Sequence, residues 1–351
     1  MALDCRTVAS SRRRTLTVYF ARMVFRGQTL GKYRIIEPLG SGGFGTVYLA
    51  EDTWIDKRVA IKVPHRQGLD FGELLREPRL LASLNHPNIV TVITAEKQDN
   101  VFFIVMEYVP GETLETIIAG RGALELNLAL DYTCQIVNAV EHAHKQGVIH
   151  RDLRPANVFV TDKGLLKVGD FGTSRFLELA AHGTTVIGSP PYMAPEQFEG
   201  RAVFASDLYS LGVSMYQMLT GALPYETPAP SDLERLRRGE LVSPPRSRNP
   251  AIPAAIDKIV LRALAGDVSA RYQRAEELLN DLLEARRTLV KRAVGEPPPL
   301  SPDARPRPTV PRRPSTARLR TREFASGRFC WNCRKPLPAR GARCPFCGET
   351  Q

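Results

Sequence analysis

The sequence predicts an α+β chain in two lobes, a small antiparallel sheet carrying one helix and then a larger, mainly helical lobe, with a small cysteine-bearing unit at the C-terminus. Three observations carry this. From Leu30 the apolar residues alternate with period two, as in half-buried strands. Beyond about residue 110 they recur at helical spacing. Four of the six cysteines, Cys330, Cys333, Cys344 and Cys347, form two close pairs near the end of the chain.

The stretches YRIIEPLG (33–40), GTVYLAED (45–52) and RVAIKVPH (58–65) are rich in β-branched and aromatic residues and are broken by Gly and charged turns, so three successive strands are expected. FGELLREPRLLASL (71–84) brings Phe71, Leu74, Leu75, Leu81 and Leu84 to helical spacing. Two further strands, near 89–96 and 101–107, complete a five-stranded antiparallel sheet. LALDYTCQIVNAVEHAHKQG (128–147) reads as a long amphipathic helix stopped by Gly147. SDLYSLGVSMYQMLTG (206–221) is apolar nearly all round, so its helix is expected to be buried and closed by Gly221. AAIDKIVLRALAG and RAEELLNDLLEARRTLVKR supply two more helices. The expected organisation is a basic disordered extension over 1–26, a two-lobed domain over 27–292 (lobes about 27–109 and 110–292), a disordered Pro/Arg-rich linker over 293–328 and a metal-bound unit over 329–351. The linker is too rich in Pro, Arg, Ser and Thr to bury a core.

A hydrophobic content of 43% and a charged content of 24% over 351 residues suit a soluble globular protein. The longest apolar runs are strand-sized, so no transmembrane segment is expected. The N-terminus has no secretory pattern, Met23 is an alternative start, and a cytoplasmic location is expected. Charge is uneven. Residues 286–351 hold 16 Lys/Arg against 4 Asp/Glu and residues 1–26 hold 6 Arg against 1 Asp, leaving 27–285 net negative within a total of +11. A basic tail on an acidic body suits a solubilising linker, and its alternative is an anionic partner such as nucleic acid or a membrane surface.

Five segments carry chemistry. LGSGGFGTV (39–47) is a G-x-G-x-x-G loop in which Gly40, Gly42 and Gly45 let backbone N–H groups approach phosphate oxygens. Three glycines in a loop are most often only a loop. Here, though, strand follows strand, which excludes a dinucleotide-binding turn, where a helix would follow. VAIK places Lys62 on the third strand, within reach of a phosphate under that loop. HRDLRPAN (150–157) sets a carboxylate, Asp152, five residues before an amide, Asn157. DFG (170–172) and APE (194–196) follow.

These motifs, in this order over about residues 31–290, resemble the Ser/Thr protein kinases, especially the bacterial branch similar to eukaryotic kinases. The resemblance implies the two-lobed kinase fold and transfer of the ATP γ-phosphoryl group to Ser/Thr hydroxyls of protein substrates, with autophosphorylation. It implies that Leu39, Gly40, Ser41, Gly42, Gly43, Phe44, Gly45, Val47 and Ala60 cover the nucleotide. Met106 is then the gatekeeper, Glu107 and Val109 offer backbone groups to adenine, and Phe159 is the pocket floor. Lys62 pairs with the α- and β-phosphates and with Glu77, Glu73 being the fallback; Pro78 departs from the family pattern and predicts a kinked helix. Asp152 is the catalytic base, and Asn157 and Asp170 hold Mg2+ or Mn2+. Asp207 braces the catalytic loop, and Glu196 pairs with Arg271.

Arg154 stands where the family usually has Lys; it keeps the charge and adds a bidentate fork. Ser189 replaces the customary Thr and keeps a hydroxyl. With Lys62, Asp152, Asn157 and Asp170 all present, an active enzyme is expected, the alternatives being a pseudokinase scaffold or a kinase localised to nucleic acid by its tail. Thr184 and Thr185 are candidate phosphosites that Arg151 would meet. The spacing C-x2-C-x10-C-x2-C predicts a structural Zn2+ ribbon on Cys330, Cys333, Cys344 and Cys347, with no open position for catalysis.

Overall fold

The computed structural model describes residues 24–42, 45–65, 81–99, 101–171 and 189–293. Packing divides the chain into two compact units, Met1–Glu296 and Pro297–Gln351. The second, which contains the cysteine quartet, lies outside the described residues, as do Glu73, Glu77 and Pro78 of the predicted first helix.

The small lobe is an antiparallel sheet of β1 (Thr29–Leu30), β2 (Tyr33–Gly42), β3 (Gly45–Asp52), β4 (Lys57–Pro64), β5 (Val92–Gln98) and β6 (Val101–Glu107), in the order β1-β2-β3-β4-β6-β5. Alternation drives it: Tyr33, Ile35, Ala50, Val59, Ile61, Phe103 and Val105 point to one buried face. Tyr33 is 1% exposed and meets Phe103 edge to face at 6.1 Å. Two register shifts along β2, between Ile35 and Glu37 and between Pro38 and Gly40, bend the strand as it enters the glycine-rich turn.

The sheet departs from expectation in two places. Among the described residues the sheet has six strands, because the two-residue β1 folds back on β2, too short for a periodicity argument to register. The strand expected near 89–96 begins only at Val92, because the residues before it serve the other lobe. Val90 donates to the Val168 carbonyl at 2.9 Å, and Val168 donates to that of Asn88 at 2.8 Å.

The larger lobe contains α1 (Leu114–Arg121), α2 (Leu126–Lys145), α3 (Phe204–Thr220), α4 (Leu233–Arg237), α5 (Pro245–Arg248), α6 (Ala254–Ala263) and α7 (Ala275–Ala293). A second small sheet is formed by β7 (Glu112–Thr113), β8 (Val158–Val160) and β9 (Leu166–Val168), and an isolated bridge joins Val168 to Ile89 ahead of β5. Helix α2 starts at Leu126, two residues before the expected position, because the Glu125 carboxylate accepts the Leu128 N–H at 3.0 Å and acts as the cap. Gly147 and Gly221 both take φ near +74° just beyond helix ends, a conformation that suits Gly. Helix α3 is buried on all sides, from Leu208 and Tyr209 to Met218 and Leu219, as its apolar composition requires. Among the described residues no helix is long and apolar enough to cross a membrane.

Candidate active site

A cavity of about 360 Å³ opens between the lobes, within the range of small-molecule sites. Leu39, Gly40, Val47 and Ala60 form its roof, Met106–Val109 its back edge, and Phe159, Gly169 and Asp170 its floor. The roof follows from strand geometry. Ala60 and Lys62 alternate onto one face of β4, where Val47 pairs opposite Lys62 and Met106 opposite Ala60. Met106 also lines a smaller cavity of about 30 Å³ behind it, with Leu81, Leu84 and Phe171. Glu107 donates its N–H to the Thr91 carbonyl at 2.9 Å and takes Lys167 on its carboxylate at 2.9 Å, which holds the connecting segment to the floor. Val90, Tyr108, Gly111, Thr113 and Ala156 also line the cavity and were missed from the sequence. Of these, Ala156 lies inside HRDLRPAN and Tyr108 between the expected contacts Glu107 and Val109, and only these two carried a local signal.

The three loop glycines differ in what they require. A Cβ on Gly45 would stand 2.4 Å from the Val63 carbonyl oxygen, so the β3–β4 ladder itself demands Gly there. A Cβ on Gly40 or Gly42 would meet nothing within 4 Å. Gly45→Ala is therefore expected to lower stability by about 1–3 kcal/mol through backbone displacement. Gly42→Ala is expected to change stability by less than about 0.5 kcal/mol while weakening nucleotide binding. Thermal melts paired with nucleotide titrations separate the two. Equal melting losses would refute the distinction.

Under the roof, Lys62 Nζ lies 2.6 Å from Asp170 Oδ1, joining residues 108 apart in sequence. Burial opposes ionisation of Asp170, but the Lys62 ammonium and its hydrogen bond outweigh it and hold the carboxyl below its usual value. Asn157 Nδ2 donates to the Asp152 carbonyl oxygen at 2.8 Å and to its carboxylate at 3.2 Å, which ties the two motif residues together. Oxygen donors from Asn157 and Asp170 suit a hard divalent cation. Glu77, Gly43, Phe44, Thr184 and Thr185 lie outside the described residues.

The loop holding Asp152 is shaped by a buried carboxylate. Arg151 and Asp170 have φ of +69° and +57°, strained for non-glycine residues. Asp207, 1% exposed, accepts the backbone N–H of His150 at 2.8 Å and of Arg151 at 2.9 Å, and His144 Nε2 at 2.7 Å. Burial pushes its carboxyl up, and the hydrogen bond and charge of His144 with the His150 contacts pull it down further, so Asp207 stays ionised. The expected bracing by Asp207 is thus visible as three hydrogen bonds. Glu196 meets Arg271 in a bidentate pair at 2.8 and 2.9 Å.

Arg154 has partners that sequence reasoning missed. Its Nη2 donates to Glu115 at 2.5 Å and its Nη1 to Ser189 Oγ at 2.7 Å, and its guanidinium lies 5.6 Å from the Tyr192 ring centroid.

A glycine-bearing sheet over a helical lobe, with these groups at the junction, matches one known class. The family model described as protein kinase domain matches residues 33–286, and the chain belongs to that family. Among curated proteins, it is 37% identical over 263 residues to the serine/threonine-protein kinase PrkC of Bacillus subtilis, covering 73% of this chain and 40% of that one. It is 36% identical over 264 residues to a probable serine/threonine-protein kinase of Clostridium perfringens, covering 73% and 38%. Identity to PknB of Mycobacterium tuberculosis is 35% over 280 residues, covering 76% and 44%. The chain thus spans about two fifths of the length of these relatives. Among solved structures, Rad53 1–466 in complex with AMP-PNP aligns with a TM-score of 0.61 at 28% identity, covering 71% of this chain and 64% of that one.

Proposed function

We propose that this protein transfers the γ-phosphoryl group of ATP to Ser/Thr hydroxyls of protein substrates and of itself. The observation that carries the reading is that Asp170, which lines the cavity, pairs with Lys62, while Asn157, whose carbonyl accepts the N–H of the neighbouring Gly169, also holds Asp152. The names of its relatives agree, and the aligned solved structure contains an ATP analogue by its title.

In this reading adenine enters the apolar part of the cavity between Ala60 and Phe159, and the triphosphate runs under Gly40 and Gly42. Lys62, fixed by Asp170, meets the inner phosphates. Asp152 accepts the proton of the attacking hydroxyl, its orientation set by the hydrogen bond from Asn157. Asn157, with its Nδ2 engaged by Asp152, offers its amide oxygen to Mg2+ or Mn2+ alongside Asp170. The cation supplies charge neutralisation at the phosphates when bound. Most of the protein's contribution is positioning and electrostatics. Incubation with γ-labelled ATP and Ser/Thr peptides tests this. Nucleotide binding without label transfer to peptide or to the chain would leave a scaffold.

For the C-terminal residues we propose one structural Zn2+ on Cys330, Cys333, Cys344 and Cys347, supported by their spacing. Elemental analysis is expected to find one zinc per chain, lost in the Cys330→Ser/Cys333→Ser variant with little change in peptide phosphorylation. Zinc-free wild type would remove the ribbon.

A further inference from the structure

Phosphoryl transfer wants positive charge near the transferring group, yet Arg154, which sits between Asp152 and Asn157, is held by a carboxylate. Glu115 lies in the first turn of α1, two residues beyond the cavity-lining Thr113. It accepts Arg154 Nη2 at 2.5 Å, joining residues 39 apart in sequence. A guanidinium does not lose its proton, so while this pair stands Glu115 offsets the charge of Arg154. The pair is also accessible: its side chains are 45% exposed for Glu115 and 28% for Arg154. Half-exposed ion pairs are weak and exchange partners readily. The other anchors of Arg154, the Ser189 hydroxyl and the Tyr192 ring, are uncharged and belong to the segment that follows the candidate phosphosites. Glu112, exposed and three residues before Glu115, adds a second carboxylate to this rim.

We propose that Glu115 selects basic protein substrates. A Lys or Arg side chain of the substrate docks on the half-exposed Glu115 carboxylate and takes over its ion pair. Arg154 is thereby released to put its charge on the transferring phosphoryl group. This rests on the phosphotransfer reading above. It couples recognition to rate, because the correct substrate supplies the cation that frees the active-site one. A merely structural pair would fix the Ser189 segment equally for every substrate.

The test uses the full chain at saturating ATP and a Thr peptide panel in which a single Arg replaces Gln at each position around the acceptor. In wild type, Arg at one position is expected to raise kcat/KM about tenfold. Glu115→Asp should keep that preference. Glu115→Gln should bring the ratio to about one and raise kcat on the all-Gln peptide, since Arg154 is then unopposed. An unchanged preference in Glu115→Gln, or equal losses on all peptides, overturns the proposal and leaves phosphotransfer standing. If Glu115→Gln loses its cooperative melt, the wild-type panel decides, and no position favouring Arg overturns the proposal. Absence of transfer by wild type to any peptide and to itself overturns both readings.

Discussion

Asp152→Asn is expected to lower kcat for peptide phosphorylation by about 10²–10⁴-fold while leaving the melting transition and nucleotide affinity near their wild-type values. Asn has nearly the shape of Asp and keeps one oxygen that accepts the Asn157 amide, which now donates to the carboxylate at 3.2 Å. The Asp152 side chain is part-exposed, so no core contact is lost. What disappears is the proposed proton acceptor. The cavity roof, Lys62 and Asp170 are untouched, so a nucleotide titration followed by a label-transfer assay isolates the effect. Wild-type turnover in this variant would remove Asp152 from the chemistry and the proposed mechanism with it.

Arg271→Met is expected to destabilise the domain by about 3–5 kcal/mol, roughly a 10 °C fall in melting temperature for a domain of this size. Arg271 is 1% exposed. It donates to both Glu196 oxygens, to the Ala265 carbonyl at 2.6 Å and to the Gly266 carbonyl at 3.0 Å, and its guanidinium lies 4.7 Å from the Tyr209 ring centroid. Met approximates the volume but leaves Glu196, itself 8% exposed, as an uncompensated buried charge still bonded to Ser206. The cost arises from that stranded carboxylate more than from the lost bonds. Adding Glu196→Gln should therefore recover part of the loss. Calorimetry on the three variants checks this, and a double variant no more stable than the single one would refute the explanation.

Much of the site was legible because the family motifs are short and local. Lys62 follows from VAIK on a strand, Asp152 and Asn157 from one eight-residue stretch, and Asp170 from DFG. The strand and helix pattern was legible for the same reason: period two and period 3.6 are properties of neighbouring residues. Failures occurred where a segment answers to a distant one. Residues 89 and 90 look like the start of a strand, but the Val90 N–H, like the Asn88 carbonyl before it, pairs with Val168 in the other lobe. Glu125 looks like an ordinary surface acid until its carboxylate is seen capping α2.

The sequence by itself determined the fold class, the order of the elements, and which side chains carry charge, oxygen donors and hydroxyls. It could not say whom they meet. The 2.6 Å approach of Lys62 to Asp170 spans 108 residues, the capture of the Arg151 N–H by Asp207 spans 56, and the hold of Glu115 on Arg154 spans 39. Only the tertiary structure decided these contacts. Backbone hydrogen bonding and apolar periodicity are settled within a few residues, whereas an ion pair depends on how separate elements pack against one another.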